Sequence, residues 1–78
     1  MSANEVNYLI NQSAKIVESN APGYVFAHDV ATELGCTWKE AHMALLLAES
    51  YHAPITRRKD GRWFFDYRKQ AEGSKGNG

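Results

Sequence analysis

The sequence predicts a small α+β domain that is mainly helical, with three helices followed by a C-terminal β-hairpin. Two stretches, Ser2–Glu5 and Thr37–Glu40, have the form of capping boxes and precede runs with helical apolar spacing. Gly35 separates the second helical run from the third, and Asp60-Gly61 separates two β-prone segments. These signals place the domain at residues 1–69.

The first helix is expected to run from its N-cap, Ser2, to about Ser19. One side of it is apolar: Val6, Leu9, Ile10, Ile16 and Val17. A Pro22-Gly23 pair then favours a turn. The next three residues, Tyr24 to Phe26, predict a short strand, and we expect both of these aromatic rings in the core.

The second helix is expected from Ala27 to Leu34, and Gly35 is expected to end it in a left-handed conformation. The third helix starts at the Thr37 capping box and continues through strong helix formers, ending before Pro54. Its inward residues are expected to be Ala41, Ala44, Leu45 and Ala48. His52 is expected at its end, where a cationic side chain suits the helix dipole.

The hairpin is expected to consist of strands Ile55–Arg58 and Trp63–Tyr67, joined by a type I′ turn at Asp60-Gly61. Alternation places Trp63, Phe65 and Tyr67 on one face, which packs on the helices. The tail, residues 70–78, has the composition of a disordered segment.

Composition and charge restrict the function classes. The 78 residues form one domain with a thin core, and a single cysteine suits a reducing cytoplasm. The net charge is zero, but residues 1–50 carry −4 and residues 51–78 carry +4. A basic end of this kind can hold a polyanion.

The stretch from Val30 to Ala44 resembles a helix-turn-helix motif, with Ala31 in the first helix of the motif and Gly35 in its turn. The motif's apolar positions are met by Val30, Leu34, Cys36, Ala41 and Ala44. The segment Ile55 to Phe65 looks like the wing of a winged helix-turn-helix domain. This resemblance covers residues 4–68 and is more specific for fold than for function.

At a finer level, the stretch from Ala41 through the wing is similar to the FaeA/PapI-like regulators of fimbrial operons. Those are stand-alone winged helices that act on DNA with a larger DNA-binding protein. The resemblance implies a transcriptional regulator or co-regulator whose third helix enters the major groove while the wing contacts phosphates. The implied DNA-binding residues are Thr37, Trp38, Lys39, His42 and Met43 in the helix, and Arg57, Arg58, Lys59 and Arg62 in the wing. Arg68 and Lys69 are expected to extend this basic surface.

An alternative function is protein docking through the third helix, as an adaptor or inhibitor. That helix offers no Arg, Asn or Gln to read bases, and Glu40 and Glu49 repel phosphate. If Met43 and Leu46 are both exposed, they form an apolar strip suited to a protein partner or a second copy of the chain. Trp38 is expected to pack on the first or second helix, with an exposed contact role as the alternative.

The sequence contains no motif that indicates an enzyme or a metal-binding protein. The histidines His28, His42 and His52 and the cysteine Cys36 lack any zinc spacing, and no nucleophile or phosphate-loop pattern occurs. We expect no catalytic residue, cofactor, small-molecule substrate or membrane segment. The expected partners are duplex DNA and either a larger DNA-binding protein or a second copy. The expected location is the cytoplasm, at the nucleoid if the source is bacterial.

Overall fold

The computed structural model describes residues 2–69, which form a mainly helical α+β arrangement with a small two-stranded antiparallel sheet. The helices are α1 (Ala3–Ser19), α2 (Ala27–Leu34) and α3 (Trp38–Ser50), and the strands are β1 (Ile55–Arg57) and β2 (Trp63–Phe65). A single helical turn follows at residues 67–69. No helix within residues 2–69 is long and apolar enough to cross a bilayer. The predicted disordered tail, residues 70–78, lies outside the described residues.

The start of α1 agrees with the predicted N-cap but not with the full capping box. The hydroxyl of Ser2 accepts a hydrogen bond from the backbone N–H of Glu5 at 3.2 Å. The Glu5 carboxylate accepts from that hydroxyl rather than from the Ser2 backbone. Only one of the two reciprocal bonds of a capping box is therefore made.

The turn between α2 and α3 is built as the sequence predicts. Gly35 has φ +69°, a conformation that costs other residues free energy, and the N–H of Cys36 reaches back to the carbonyl of Ala31 at 3.0 Å. Thr37 and Glu40 then form the full capping box at the start of α3. These local bonds fix where α3 begins.

The core lies where α1 and α2 pack on α3 and the hairpin closes one end. The four inward residues predicted for α3 are all buried: Ala41, Ala44, Leu45 and Ala48. Trp63 and Ile55 bring the two strands into the same cluster. Because three of the four α3 residues are alanines, the larger side chains Trp63 and Ile55 of the hairpin supply much of the core volume.

The hairpin pairs Ile55 with Phe65 and Arg57 with Trp63, and Trp63 also pairs with Val25. Of the short strand predicted before α2, only Val25 pairs, in an isolated bridge with Trp63. The predicted type I′ turn is wrong, because of the two central residues Asp60 and Gly61 only Gly61 has a positive φ. Its N–H donates to the carbonyl of Arg58, so the loop is a type I turn followed by a glycine bulge.

Several aromatic side chains lie outside the core, contrary to expectation. Tyr24 and Phe26 are exposed, although Val25 between them is buried, because alternation along this short strand turns only Val25 inward. The second strand ends at Phe65, and Tyr67 belongs to the following helical turn. Phe65 is half-buried, but Tyr67 is exposed and contacts Phe65 at the surface.

The end of α3 repeats the geometry seen at the end of α2, with a histidine in place of glycine. His52 has φ +68°, and the N–H of Ala53 reaches back to the carbonyl of Ala48 at 3.0 Å. This is the Schellman arrangement, in which a left-handed residue lets two N–H groups satisfy the last carbonyls. His52 therefore acts through its backbone here, whereas the sequence suggested only a charge effect.

Replacing His52 by glycine is expected to raise the free energy of unfolding by about 1 kcal/mol, because glycine adopts the left-handed conformation without steric cost. The matched change, Gly35→Ala, is expected to lower it by a similar amount. No atom lies within 4 Å of a Cβ built at Gly35, so that loss reports backbone conformation alone. Urea unfolding of both variants measures the effect. Equal midpoints for wild type and both variants would contradict this account.

Candidate nucleic-acid interface

The surface of α3 that points away from the core is open along its length. We call Lys39, His42, Met43 and Leu46 the outer face of α3. Met43 is 59% exposed, Lys39 and Leu46 are exposed, and His42 is half-buried. The sequence predicted this orientation from the inward alanines. The outer face offers one cation and one imidazole next to two apolar side chains.

Trp38, in the first turn of α3, is 54% exposed and does not pack into the helical core, contrary to the preferred prediction. Its ring stacks on His42, with ring centres 4.8 Å apart and an angle of 9° between the planes. Residues four apart lie above one another on a helix, so this pair holds itself in place. The alternative, an exposed contact residue, is the one the geometry favours.

A cleft opens between the start of α2, the start of α3 and the hairpin. We call it the aromatic cleft. It has a volume of about 620 Å³ and is lined by Phe26, Ala27, His28, Trp38, His42, Arg57 and Gly61. Three predicted site residues thus come together: Trp38 and His42 from one turn of α3, and Arg57 from the hairpin, fifteen residues further along the chain.

The hairpin tip, residues 58–62, carries cations that are partly engaged within the chain. The guanidinium of Arg58 lies 4.6 Å from the centre of the Tyr24 ring, and that of Arg62 lies 5.2 Å from it. Both cations also pair with Asp60, at 3.3 Å and 2.6 Å respectively. Tyr24, which the sequence assigned to the core, instead acts as a platform for these two arginines.

Asp60 stays ionised across the neutral range. Hydrogen bonds from the side chain and the backbone N–H of Arg62 lower the pKa of Asp60 to about 2. A phosphate that approaches Arg58 or Arg62 therefore meets a fixed carboxylate beside them. The hairpin tip is less available to a polyanion than four basic residues in sequence suggested.

Arg57 and Lys59 are the more available cations of the hairpin. Both side chains are exposed, and neither makes an ion pair among residues 2–69. Arg57 borders the aromatic cleft, whereas Lys59 stands in the turn. Arg57 therefore faces the same cleft as Trp38 and His42 of α3, and Lys59 is not among the residues that line it.

Of the two residues predicted to extend the basic surface, only Arg68 is exposed. Lys69 is half-buried and donates to the carboxylate of Glu49 at 3.0 Å and to the carbonyl of Ile55 at 2.7 Å. Lys69 thus fastens the last helical turn to α3 and β1, and it is not a surface cation. It also neutralises Glu49, which was expected from the sequence to repel phosphate.

The N-terminal end of α3 is closed by its own side chains. Thr37, a predicted site residue, donates its backbone N–H and its hydroxyl to the Glu40 carboxylate at 2.9 and 3.1 Å. These bonds, led by the one from the backbone, lower the pKa of Glu40. A carboxylate therefore occupies the position near the helix end where a phosphate would gain most.

On its other side α3 meets α1 along an apolar groove. Val6, Leu9, Met43, Ala44 and Leu47 line it, with Lys39 and Glu40 at one end. We call this the α1/α3 groove. Lys39 and Met43 thus border this groove, whereas Trp38 and His42 border the aromatic cleft. The predicted helix residues are divided between two surfaces.

Several residues of these surfaces were not predicted from the sequence. Phe26 and His28 line the aromatic cleft, and Val6 and Leu9 line the α1/α3 groove. The spacing of Val6 and Leu9 on the apolar side of α1 was a usable signal. The alternation that buries Val25 was a signal for the exposure of Phe26, but it did not indicate which surface Phe26 joins.

Other chemistry is weakly represented in the described part of the chain. Burial, helped by the nearby Glu40 charge, raises the pKa of the Cys36 thiol, which keeps it in its unreactive form at neutral pH. Residues 2–69 contain no group of three or more His, Cys, Asp or Glu side chains placed to hold a metal ion.

No family model, curated protein or solved structure matches the chain.

Proposed function

We propose that this chain is a winged helix-turn-helix domain that binds duplex DNA as a transcriptional regulator or co-regulator. One observation carries the proposal: the outer face of α3 and the hairpin border the same cleft, through His42 and Arg57. A helix whose exposed side stands next to a basic hairpin suits a duplex, in which a major groove adjoins a phosphate backbone.

In this proposal α3 enters the major groove and the hairpin acts as the wing. Lys39 and His42 reach phosphate or base edges, and Arg57 and Lys59 contact the backbone. Arg58 and Arg62 contribute a positive field from their positions on Tyr24. With few base-reading groups, most of the affinity comes from phosphate contacts and falls steeply with salt.

The test is an NMR titration of labelled protein with a random-sequence duplex, at low and at physiological salt. Amide shifts confined to residues 37–43 and 57–62, fading as salt rises, are the expected result. The matched region is the exposed N-terminal part of α1, where no shift is expected. Shifts spread over the whole chain, or none at low salt, would contradict the proposal.

A second candidate function is protein docking through α3, and the α1/α3 groove favours it. Met43 is exposed and adjoins an apolar groove, as a surface for a protein partner would require. The groove lies within the first fifty residues, which carry a net charge of −4, and its lining includes Glu40 as well as Lys39. On this hypothesis no duplex shifts the amides at physiological salt, and Met43→Glu abolishes binding of the partner protein.

A co-regulator uses both surfaces at once. The aromatic cleft and the hairpin then face DNA, while the α1/α3 groove holds a larger DNA-binding protein or a second copy of the chain. A second copy would add a linked half-site and so raise the affinity for DNA. Sedimentation of the protein alone, over a range of concentrations, separates self-association from a requirement for another protein.

A further inference from the structure

The aromatic cleft contains exposed aromatic rings, which binding to a regular DNA duplex does not require. Phe26 is 48% exposed, and Trp38 also presents much of its ring to solvent. Their neighbours in the cleft are two imidazoles, from His28 and His42, and one guanidinium, from Arg57. Flat rings of this kind bind other flat rings by stacking.

Two of the rings are stacked. Trp38 and His42 lie nearly parallel, so each ring packs on one face of the other, and Trp38 keeps 54% of its surface exposed. The cleft volume, about 620 Å³, falls within the range of about 300–1,000 Å³ found for small-molecule sites. A flat heteroaromatic ring with an attached polar group suits this cleft.

The charge at the cleft restricts the class of ligand further. Arg57 is exposed at the hairpin side and pairs with no carboxylate among the described residues. At the α2 side the Asp29 carboxylate stands 3.3 Å from His28, whereas Arg57 on the hairpin side carries a permanent positive charge. An anionic group attached to the flat ring would therefore point toward Arg57. A nucleotide has this combination of ring and charge.

We propose that the aromatic cleft takes one unpaired base of a DNA strand, stacked on Trp38, with the adjoining phosphate on Arg57. The inference rests on the proposed function and names its substrate more closely. Bases inside a duplex are stacked on each other and present only their edges, so only an unpaired base can meet an aromatic face. The preferred ligand is thus a duplex that ends in, or is interrupted by, a single strand.

Tryptophan fluorescence tests this directly, because the two tryptophans differ in exposure. Trp38 is half exposed, whereas Trp63 is fully buried and serves as an internal reference. The probes are a blunt duplex, the same duplex with a single-stranded thymine overhang, and the free single strand. We expect the overhang duplex to quench Trp38 emission and to bind about fivefold or more tighter than the blunt duplex.

The variants separate the cleft from the rest of the surface. Trp38→Ala is expected to abolish the preference for the overhang, measured in a fluorescence-anisotropy assay with labelled DNA as the ratio of the affinities for the overhang and the blunt duplex. Trp38→Phe is expected to keep part of the preference, since it keeps a ring. Tyr8→Ala, at an equally exposed aromatic residue of α1, is the control and is expected to change nothing.

The outcomes distinguish this inference from the proposed function. Equal affinity and equal quenching for blunt and overhang duplexes would overturn the cleft assignment and leave duplex binding intact. Failure of every DNA to bind at low salt would overturn both. An overhang preference that survives Trp38→Ala in a variant with a native circular-dichroism spectrum would also overturn it.

Discussion

Replacing Trp63 by alanine is expected to lower the free energy of unfolding by about 3–5 kcal/mol. Trp63 is the largest fully buried side chain, and it lies in the core cluster with Leu45 and Ile55. Its backbone exchanges two hydrogen bonds with Val25, at 2.7 and 3.0 Å. Truncation therefore leaves a cavity where the hairpin, the short strand and the helices meet. A chain of this length has roughly 4–12 kcal/mol of stability in all.

Urea unfolding followed by circular dichroism at helical wavelengths measures the effect without relying on tryptophan emission. The matched control is Trp38→Ala, which removes the same side chain from an exposed position and is expected to cost less than about 1 kcal/mol. Trp63→Phe is expected to fall between the two. It fills part of the cavity and removes an indole N–H that has no hydrogen-bond partner among residues 2–69. Similar losses for the Trp63 and Trp38 alanine variants would show that the core has been misassigned.

The double variant Lys39→Ala, Arg57→Ala is expected to bind duplex DNA about 100-fold more weakly than the wild type at low salt. A charge-assisted contact contributes about 1.5 kcal/mol, which is roughly tenfold in affinity. Both cations are exposed: Lys39 lies on the outer face of α3, and Arg57 lies where the hairpin borders the aromatic cleft. The slope of log affinity against log salt is expected to fall by about 2, one for each phosphate that the protein no longer neutralises.

A substitution that removes a negative charge from the hairpin tip is expected to strengthen duplex binding. Asp60→Asn removes the carboxylate that engages Arg58 and Arg62 while keeping an oxygen to accept from the Arg62 backbone. It is expected to tighten duplex binding severalfold and to steepen the salt dependence. Lys15→Ala, on the exposed side of α1, is the control for loss of charge alone. Fluorescence anisotropy with one duplex, at several salt concentrations, measures all of these. Equal losses for Lys15→Ala and the double variant would reject a localised interface.

The elements that the sequence predicted well depend on contacts within a few residues. The start of α3 follows from Thr37 and Glu40, and the end of α2 follows from Gly35. Both involve bonds that close over three to five positions, so the sequence pattern contains the whole interaction. The burial of Leu45 was equally accessible, because helical periodicity alone decides it.

The features that the sequence missed depend on partners that are distant along the chain. At the surface the Tyr24 ring contacts Arg58 and Arg62, and Lys69 is withdrawn from the surface by Glu49. No pattern within either segment contains those pairings. The prediction of the hairpin turn type was wrong for a different reason. Asp-Gly suits both a type I′ turn and a type I turn with a glycine bulge, and the strand register decides between them.

The candidate site shows the same division. Exposure of Lys39 and Met43 followed from periodicity, and the stack of Trp38 on His42 was available from their spacing of four residues. The meeting of that stack with Arg57 and Phe26 was not, since it depends on how the hairpin pairs with the segment before α2.

The bridge between Val25 and Trp63 also determines how this small domain opens. It is a single pair, yet it joins the segment before α2 to the second strand, so neither can separate from the helices alone. The amide protons of these two residues are therefore expected to exchange with solvent only when the whole chain unfolds, whereas amides in residues 58–62 exchange through local fraying. One ladder pair thus couples the hairpin to the helices as a single cooperative unit.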